Sequence, residues 1–180
     1  MDWLEEVQQK AKRKNQILFS KDCPLFDQLN LLLEQQNHRA VVLWALELAE
    51  DAVICLKEKY PDDFRPEDAL NVTRLWAAGK VKMPVAKKEI LRCHGMAKEL
   101  SSPEDIALCH AIGQACGTVH TVGHALGFPI YELTAIVRRM GLENCRNAVE
   151  GRCRYYVQRL VYWQQQEPSV TQEWAKFLAK

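Results

Sequence analysis

Apolar residues recur along this chain at intervals of three and four, and no sustained run alternates apolar with polar at every second position. The first period belongs to a helix with one face turned inward and the second to a half-buried strand, so the pattern predicts an all-α protein. Punctuation divides it into elements. Pro24 opens PLFDQLNLLLEQQ, Asn37 stands where it can cap HRAVVLWALELAEDAVICLKEKY, and the turn-rich YPDDFRP leads to Pro66 at the head of PEDALNVTRLWAAG. Gly79 offers a left-handed stop, and Pro84 opens PVAKKEILRCHGMAKEL. Ser102-Pro103-Glu104-Asp105 is the clearest start, with a capping hydroxyl, a first-turn proline and two acids facing the positive helix end. The helix it begins is expected to run from Pro103 to about Phe128. Pro129 then opens PIYELTAIVRRM, which Gly141 ends. A long helix from about Glu143 to Gln165 and a short one after Pro168 complete the set.

The Pro103–Phe128 segment stands apart from the rest. From Ile106 to Tyr131 the chain carries no Asp, Glu, Lys or Arg. A surface helix is not built this way, so the segment is expected to be the buried axis of a bundle. A membrane span is a poor fit, because histidines, threonines, Gln114 and four glycines interrupt it. On a helical wheel Cys109, Gly113, Cys116, Gly117, His120, Gly123, His124 and Gly127 share one stripe. Small residues four apart, Gly113/Gly117 and Gly123/Gly127, are expected to admit a close neighbour. The architecture expected over residues 1–180 is therefore a single-domain bundle of antiparallel helices around a central helix at about 103–128. Residues 1–40 and 143–180 supply the flanking helices.

Composition narrows the function classes. About half the chain is apolar, a quarter is charged, and the formal net charge is +1, so bulk attraction to nucleic acid or membrane is not expected. The start, MDWLEEVQQKAKRK, lacks the apolar core of an export signal, which gives a cytoplasmic expectation. Seven cysteines, an odd number without C-x-x-C pairs, then read as buried thiols.

His120 and His124 have the four-residue spacing that two metal ligands on a helix would use. However, Thr121 stands where a zincin has glutamate, and no third ligand follows. A site would need Cys93 or His94 from the preceding helix. Structural histidines, bonded to backbone, Gln114 or threonines, fit the same residues. Phosphate-cradling glycine loops are absent, and with seven cysteines and five histidines a chance Cys-His pair is unavoidable, so no catalytic residue and no cofactor is assigned. Glu47, Glu50 and Asp51 read as a solvated helix face.

The residues VVLWALELAEDAVICLKEKYPDDFRPEDALNVTRLWAAGKVKMPVAKKEILRCHGMAKEL, followed by AIGQACGTVHTVGHALGFPIYELTAI, carry a likeness beyond pattern. The W-A-L-x-x-A-E opening from Trp44, RPEDAL, LWAAGKV, the Cys93-His94 pair and the A-x-G-Q-A-x-x-T-V-H-T-x-x-H-A-L-G run together resemble a family of all-α immunity proteins of bacterial polymorphic toxin systems. The likeness spans about Val41 to Arg138. This chain has Cys116 and Gly117 where alanines are usual. The resemblance implies a non-catalytic, stoichiometric binder whose partner is a cognate protein toxin.

Charge segregates along the sequence in a way that suits a binder. Acids exceed bases eight to three between Val41 and Val72, whereas bases exceed acids seven to two between Thr73 and Pro103. Asp62, Asp63, Glu67 and Asp68 form either an acidic patch that would meet a basic toxin or an ordinary solvated connection, and Tyr155, Tyr156, Tyr162 and Trp163 are aromatic anchors or core. Two other readings fit the same residues. One is a metal- or redox-dependent helical protein using Cys93, His94, His120 and His124, and the other is a self-associating helical scaffold.

Overall fold

The structure is a computed structural model that describes residues 2–179. Among these, eight α-helices occur and no strand. They are α1 (Trp3–Lys12), α2 (Asp27–Gln35), α3 (His38–Lys59), α4 (Arg65–Ala77), α5 (Met83–Met96), α6 (Pro103–Gly117), α7 (Gly127–Met140) and α8 (Arg146–Gln166). The helical bundle expected from the apolar periodicity is the observed fold, and no helix is long and apolar enough to cross a membrane.

Local chemistry sets the boundaries. The Asn37 side chain accepts a bond of 2.8 Å from the Ala40 amide and so opens α3, while Ser102 does the same for Asp105 at 3.3 Å and opens α6. α4 closes on Gly79 at φ 74°, where the Gly79 amide donates to Trp76 and the Lys80 amide to Leu75, the paired bonds of a left-handed helix end. Gly141 ends α7 at φ 79°. After Pro168 only a short 3-10 turn, Glu167–Ser169, and irregular chain are found.

The central helix is shorter than expected. α6 stops at Gly117 instead of reaching Phe128, because the Thr118 carbonyl, which a continuing helix would offer to Val122, is taken by the His38 ring at 2.5 Å. The Thr118 hydroxyl turns back to Ala115 at 2.6 Å, and Thr121 is extended, its oxygen accepting from the Gly123 amide. α7 then begins at Gly127, two residues before Pro129, a proline its first turn tolerates because the N–H there has no helical partner anyway. The charge-free run is thus a helix, a tight turn and a helix start.

α6 is nevertheless the axis: it packs against α3, α4, α5 and α7, and Ala107, Cys109, Ala111, Ile112, Ala115 and Cys116 are buried. Its glycines permit that crowding unequally. A Cβ on Gly113 would lie 2.2 Å from Nε2 of His94 on α5, and one on Gly117 would lie 3.0 Å from the His124 ring. A Cβ on Gly127 would meet the Gln114 side chain at 2.4 Å, whereas one on Gly123 would find only ordinary contact with Thr121. Of the expected Gly123/Gly127 pair only Gly127 admits a close neighbour, Gln114 of α6, and the tightest approach is at Gly113.

One contiguous apolar core runs from Trp3 to Leu178, with Trp44, Phe26, Phe128, Ile112, Leu133 and Leu160 fully buried. Its polar members are partnered. Tyr156, also fully buried, donates its hydroxyl to Glu132, Arg152 clasps the same carboxylate through two bonds of 2.9 Å, and the Trp44 indole donates to the Tyr156 carbonyl at 2.9 Å. α3, α7 and α8 are pinned together by this network.

Two stability tests follow. Gly113→Ala is expected to cost about 1–3 kcal/mol in urea denaturation, because the His94 ring has to leave its seat. Gly151→Ala, where the new methyl meets only Arg154 at 3.7 Å, is expected to be neutral or to gain up to about 1 kcal/mol. Arg152→Ala is expected to cost about 3 kcal/mol, since it leaves the 7%-exposed Glu132 without its counter-charge. Arg146→Ala, which breaks an exposed pair with Asp2, should leave the unfolding midpoint nearly unchanged.

Candidate functional site

Because α6 ends early, the histidine stripe dissolves. His120 and His124 both lie in the exposed turn after Gly117. His124 is held by Gln114, with Nδ1 3.0 Å from Oε1, as the structural alternative anticipates. Cys93 is fully buried on α5 and donates its thiol to the Cys109 carbonyl at 3.6 Å, and burial pushes that thiol far up, where it stays protonated. Among the described residues no group of three or more His, Cys, Asp or Glu side chains is arranged to hold a metal ion.

His94 meets a residue that the sequence reading left out of its candidate set. Its Nδ1 lies 2.8 Å from Nδ1 of His110 on α6, and the rings are 5.1 Å apart with Tyr131 beyond them. Across this contact one Nδ1 donates and the other accepts, so a single proton lies between the two nitrogens. Burial, followed by the proximity of His110 and His124, pushes His94 down to about 4, and burial lowers His110 as well. A legible signal existed: Cys-His occurs at 93–94 and again at 109–110, and the two dipeptides face each other, thiol to carbonyl and ring to ring.

The acidic patch spans the loop after α3, which carries Asp62 and Asp63, and the first turn of α4, which carries Glu67 and Asp68, at the junction with α5. Lys59, Tyr60, Asp62, Asp63, Phe64 and Arg65 help line an open depression of about 1010 Å³ there. Most of its charge is already matched. Arg65 bridges Asp63 at 2.6 Å and Glu99 at 2.7 Å, Lys57 holds Glu67, and Arg92 stands 3.9 Å from Asp68. Hydrogen bonds from Arg65 hold the Asp63 carboxyl below its usual range. Asp62 is exposed and, among the described residues, in no ion pair. Behind the loop Asp105 is 2% exposed; burial alone would raise its pKa, but Lys59 at 2.6 Å and Tyr60 at 2.7 Å outweigh it and hold the group ionised.

Glu47, Glu50 and Asp51 are joints as well as surface. Glu47 accepts from Arg159 at 2.6 Å and from the Trp163 indole at 2.8 Å, Glu50 pairs with Arg74, and Asp51 with Arg152 at 3.1 Å. Tyr156 is core, Tyr155 and Trp163 are half-buried, and Tyr162 is exposed with Arg159 stacked over its ring at 4.0 Å.

The histidine pair gives a pH test with a fixed sign. Unfolded imidazoles bind a proton below about pH 6.5, whereas folded His94 resists until about 4, so the folded state holds fewer protons and stability falls as pH drops through that interval. The urea midpoint is expected to decline between those limits, and His94→Gln should flatten most of the decline. A flat wild-type profile would show that the pair titrates as if in water.

Comparison with known proteins adds one match. Residues 31–159, well over half of the chain, match the family model described as "Imm-5 like putative immunity protein". No curated protein and no solved structure matches. The matched span runs from within α2 into α8 and so takes in the α6 axis, the paired Cys-His dipeptides and the Glu132–Arg152–Tyr156 network; this chain belongs to the Imm-5-like immunity protein family.

Proposed function

We propose that this chain is an immunity protein that neutralises a cognate protein toxin by one-to-one binding, without catalysis, in the cytoplasm of the cell that makes it. The observation that carries the proposal is the family match over residues 31–159. The physical make-up supports it. Seven free thiols, six of them buried, suit a reducing compartment, and the contiguous core suits one folding unit. The outer shell is a web of ion pairs that holds surface groups in fixed positions, which lowers the ordering cost of binding. The exposed turn of His120 and His124 plays no part in this reading, and the Asp62–Asp68 loop offers a partner mainly Asp62 and the exposed Phe64.

Co-expression tests it. On this reading the toxin is the C-terminal domain of a secreted protein encoded beside this gene; that domain is expected to arrest growth alone and to be tolerated with this chain present, and the purified pair should elute as a 1:1 complex. His120→Gln with His124→Gln should protect as well as wild type while lowering stability only modestly. Loss of protection at unchanged melting temperature would place those imidazoles in the interface or at a metal.

A further inference from the structure

The basic half of the charge segregation comes together at one end of the bundle. The connection between α4 and α5 carries Lys80 and Lys82, the exposed side of α5 carries Lys87 and Lys88, and the C-terminal segment brings Lys176 beside them. That segment is fixed in place: the Ala175 amide donates to the Ala77 carbonyl at 2.7 Å, and Phe177 rests against Trp76 with ring centroids 6.1 Å apart. Among the described residues none of the five lysines is in an ion pair, whereas Arg65, Arg74, Arg92 and Arg152 all are. The nearby acids are few: Glu89 is held by Arg92, and Glu173 lines the same depression.

Apolar side chains are exposed among these charges. Leu75 is 43% exposed, Met83 41%, Val85 50%, Leu91 56% and Phe177 46%. On α5, Pro84, Lys87, Lys88 and Leu91 follow the i, i+3, i+4, i+7 spacing of one helix face, and all four are exposed. Met83 and Phe177 line a depression of about 700 Å³ over Trp76 and Gly79.

We propose that this α4–α5 end is the surface that grips the toxin, and that the toxin face it grips is acidic with apolar residues at its centre. The inference rests on the neutralisation reading above and assigns the contact that reading leaves open. Unmatched lysines around exposed apolar groups form a charged rim with an apolar centre, the anatomy of a protein interface. A polyanion such as RNA would be held by the lysines alone and would leave Val85, Leu91 and Phe177 in water. The acidic loop is the weaker candidate because its carboxylates are mostly matched from within, so a basic partner would have to displace Arg65 and Lys57 to reach them.

The test uses the full chain and, as probe, the toxin domain that the co-expression experiment identifies, carrying an inactivating substitution. Lys80→Glu/Lys82→Glu/Lys88→Glu is expected to weaken the complex by about 100-fold at low salt, mostly through slower association, and to abolish the salt dependence seen with wild type. Val85→Ser/Leu91→Ser should weaken it by about 10-fold or more with the salt dependence intact. Asp62→Lys/Phe64→Ser should bind within about twofold of wild type. All these positions are exposed, and unchanged melting curves confirm the fold of each variant. Wild-type affinity in the lysine variant, or loss only in the Asp62/Phe64 variant, overturns this assignment and leaves neutralisation standing. Absence of any wild-type complex overturns neutralisation itself. Binding of wild type to phosphatidylserine vesicles or to duplex RNA, lost in the lysine variant while toxin binding persists, assigns the surface to those partners instead.

Discussion

The structure depends on how closely α5 can approach α6. Gly113 has no side chain where the His94 ring sits, and a single methyl there would overlap Nε2 at 2.2 Å. The ring is not merely accommodated. It is bonded to His110, and one residue earlier the Cys93 thiol is bonded to the Cys109 carbonyl, so two adjacent side chains of α5 lock onto two adjacent residues of α6. This locked pair of helices fixes where α4 and the connection after it must lie, and hence where the exposed lysines of α5 point. A glycine that costs about 1 kcal/mol in helix propensity is retained because packing over it offsets that cost.

Polar groups show the same economy. The carboxylates of Glu47, Glu50, Asp51, Asp105 and Glu132 come from three helices, and each is met by a cation from another helix. The buried Glu132–Arg152–Tyr156 group gains little net stability from its charges, since desolvation opposes their attraction, but it allows only one register of α7 against α8. What is left unmatched by this internal pairing is unevenly spread. It falls on both signs, on Glu58 and Asp62 as well as on lysines, and among the lysines the set at the α4–α5 end stands beside exposed apolar side chains.

Much of the fold was legible because its cues are local. Asn37, Ser102, Gly79 and Gly141 act on the residues beside them, and each begins or ends a helix as the sequence suggested. The stop at Gly117 was not legible, because it depends on His38, eighty residues away, taking the Thr118 carbonyl. Nothing in TVHTVGHALG announces a break, and the lack of charge there reflects burial of its flanks. The internal pairing of the acidic patch was not legible for a related reason. Counting carboxylates along a sequence cannot register that Lys57, Arg65 and Arg92 arrive from three helices to match them. His94 was noticed for its neighbour Cys93, but its partner His110 was passed over, although the repeated Cys-His dipeptide marked both.

An immunity protein that works by binding alone, as proposed for this chain, separates two demands that an enzyme must meet in one place. Its interior has only to be unyielding, and here it consists of alanines, cysteines and glycines crowded along α6, with the buried carboxylates Asp105, Glu132 and Glu167 each answered by a cation. Its exterior has only to be complementary to one partner, and so is free to change without touching the axis. The lysines at 80, 82, 87, 88 and 176 satisfy that condition, since they stand on helix ends and outward faces anchored by Trp76, Ala77 and Ala86 beneath them. Substituting them alters the charge presented but not the packing that presents it. Recognition can therefore be retuned against a changing toxin at little cost in stability, whereas the paired Cys-His dipeptides cannot be altered without moving α5 itself.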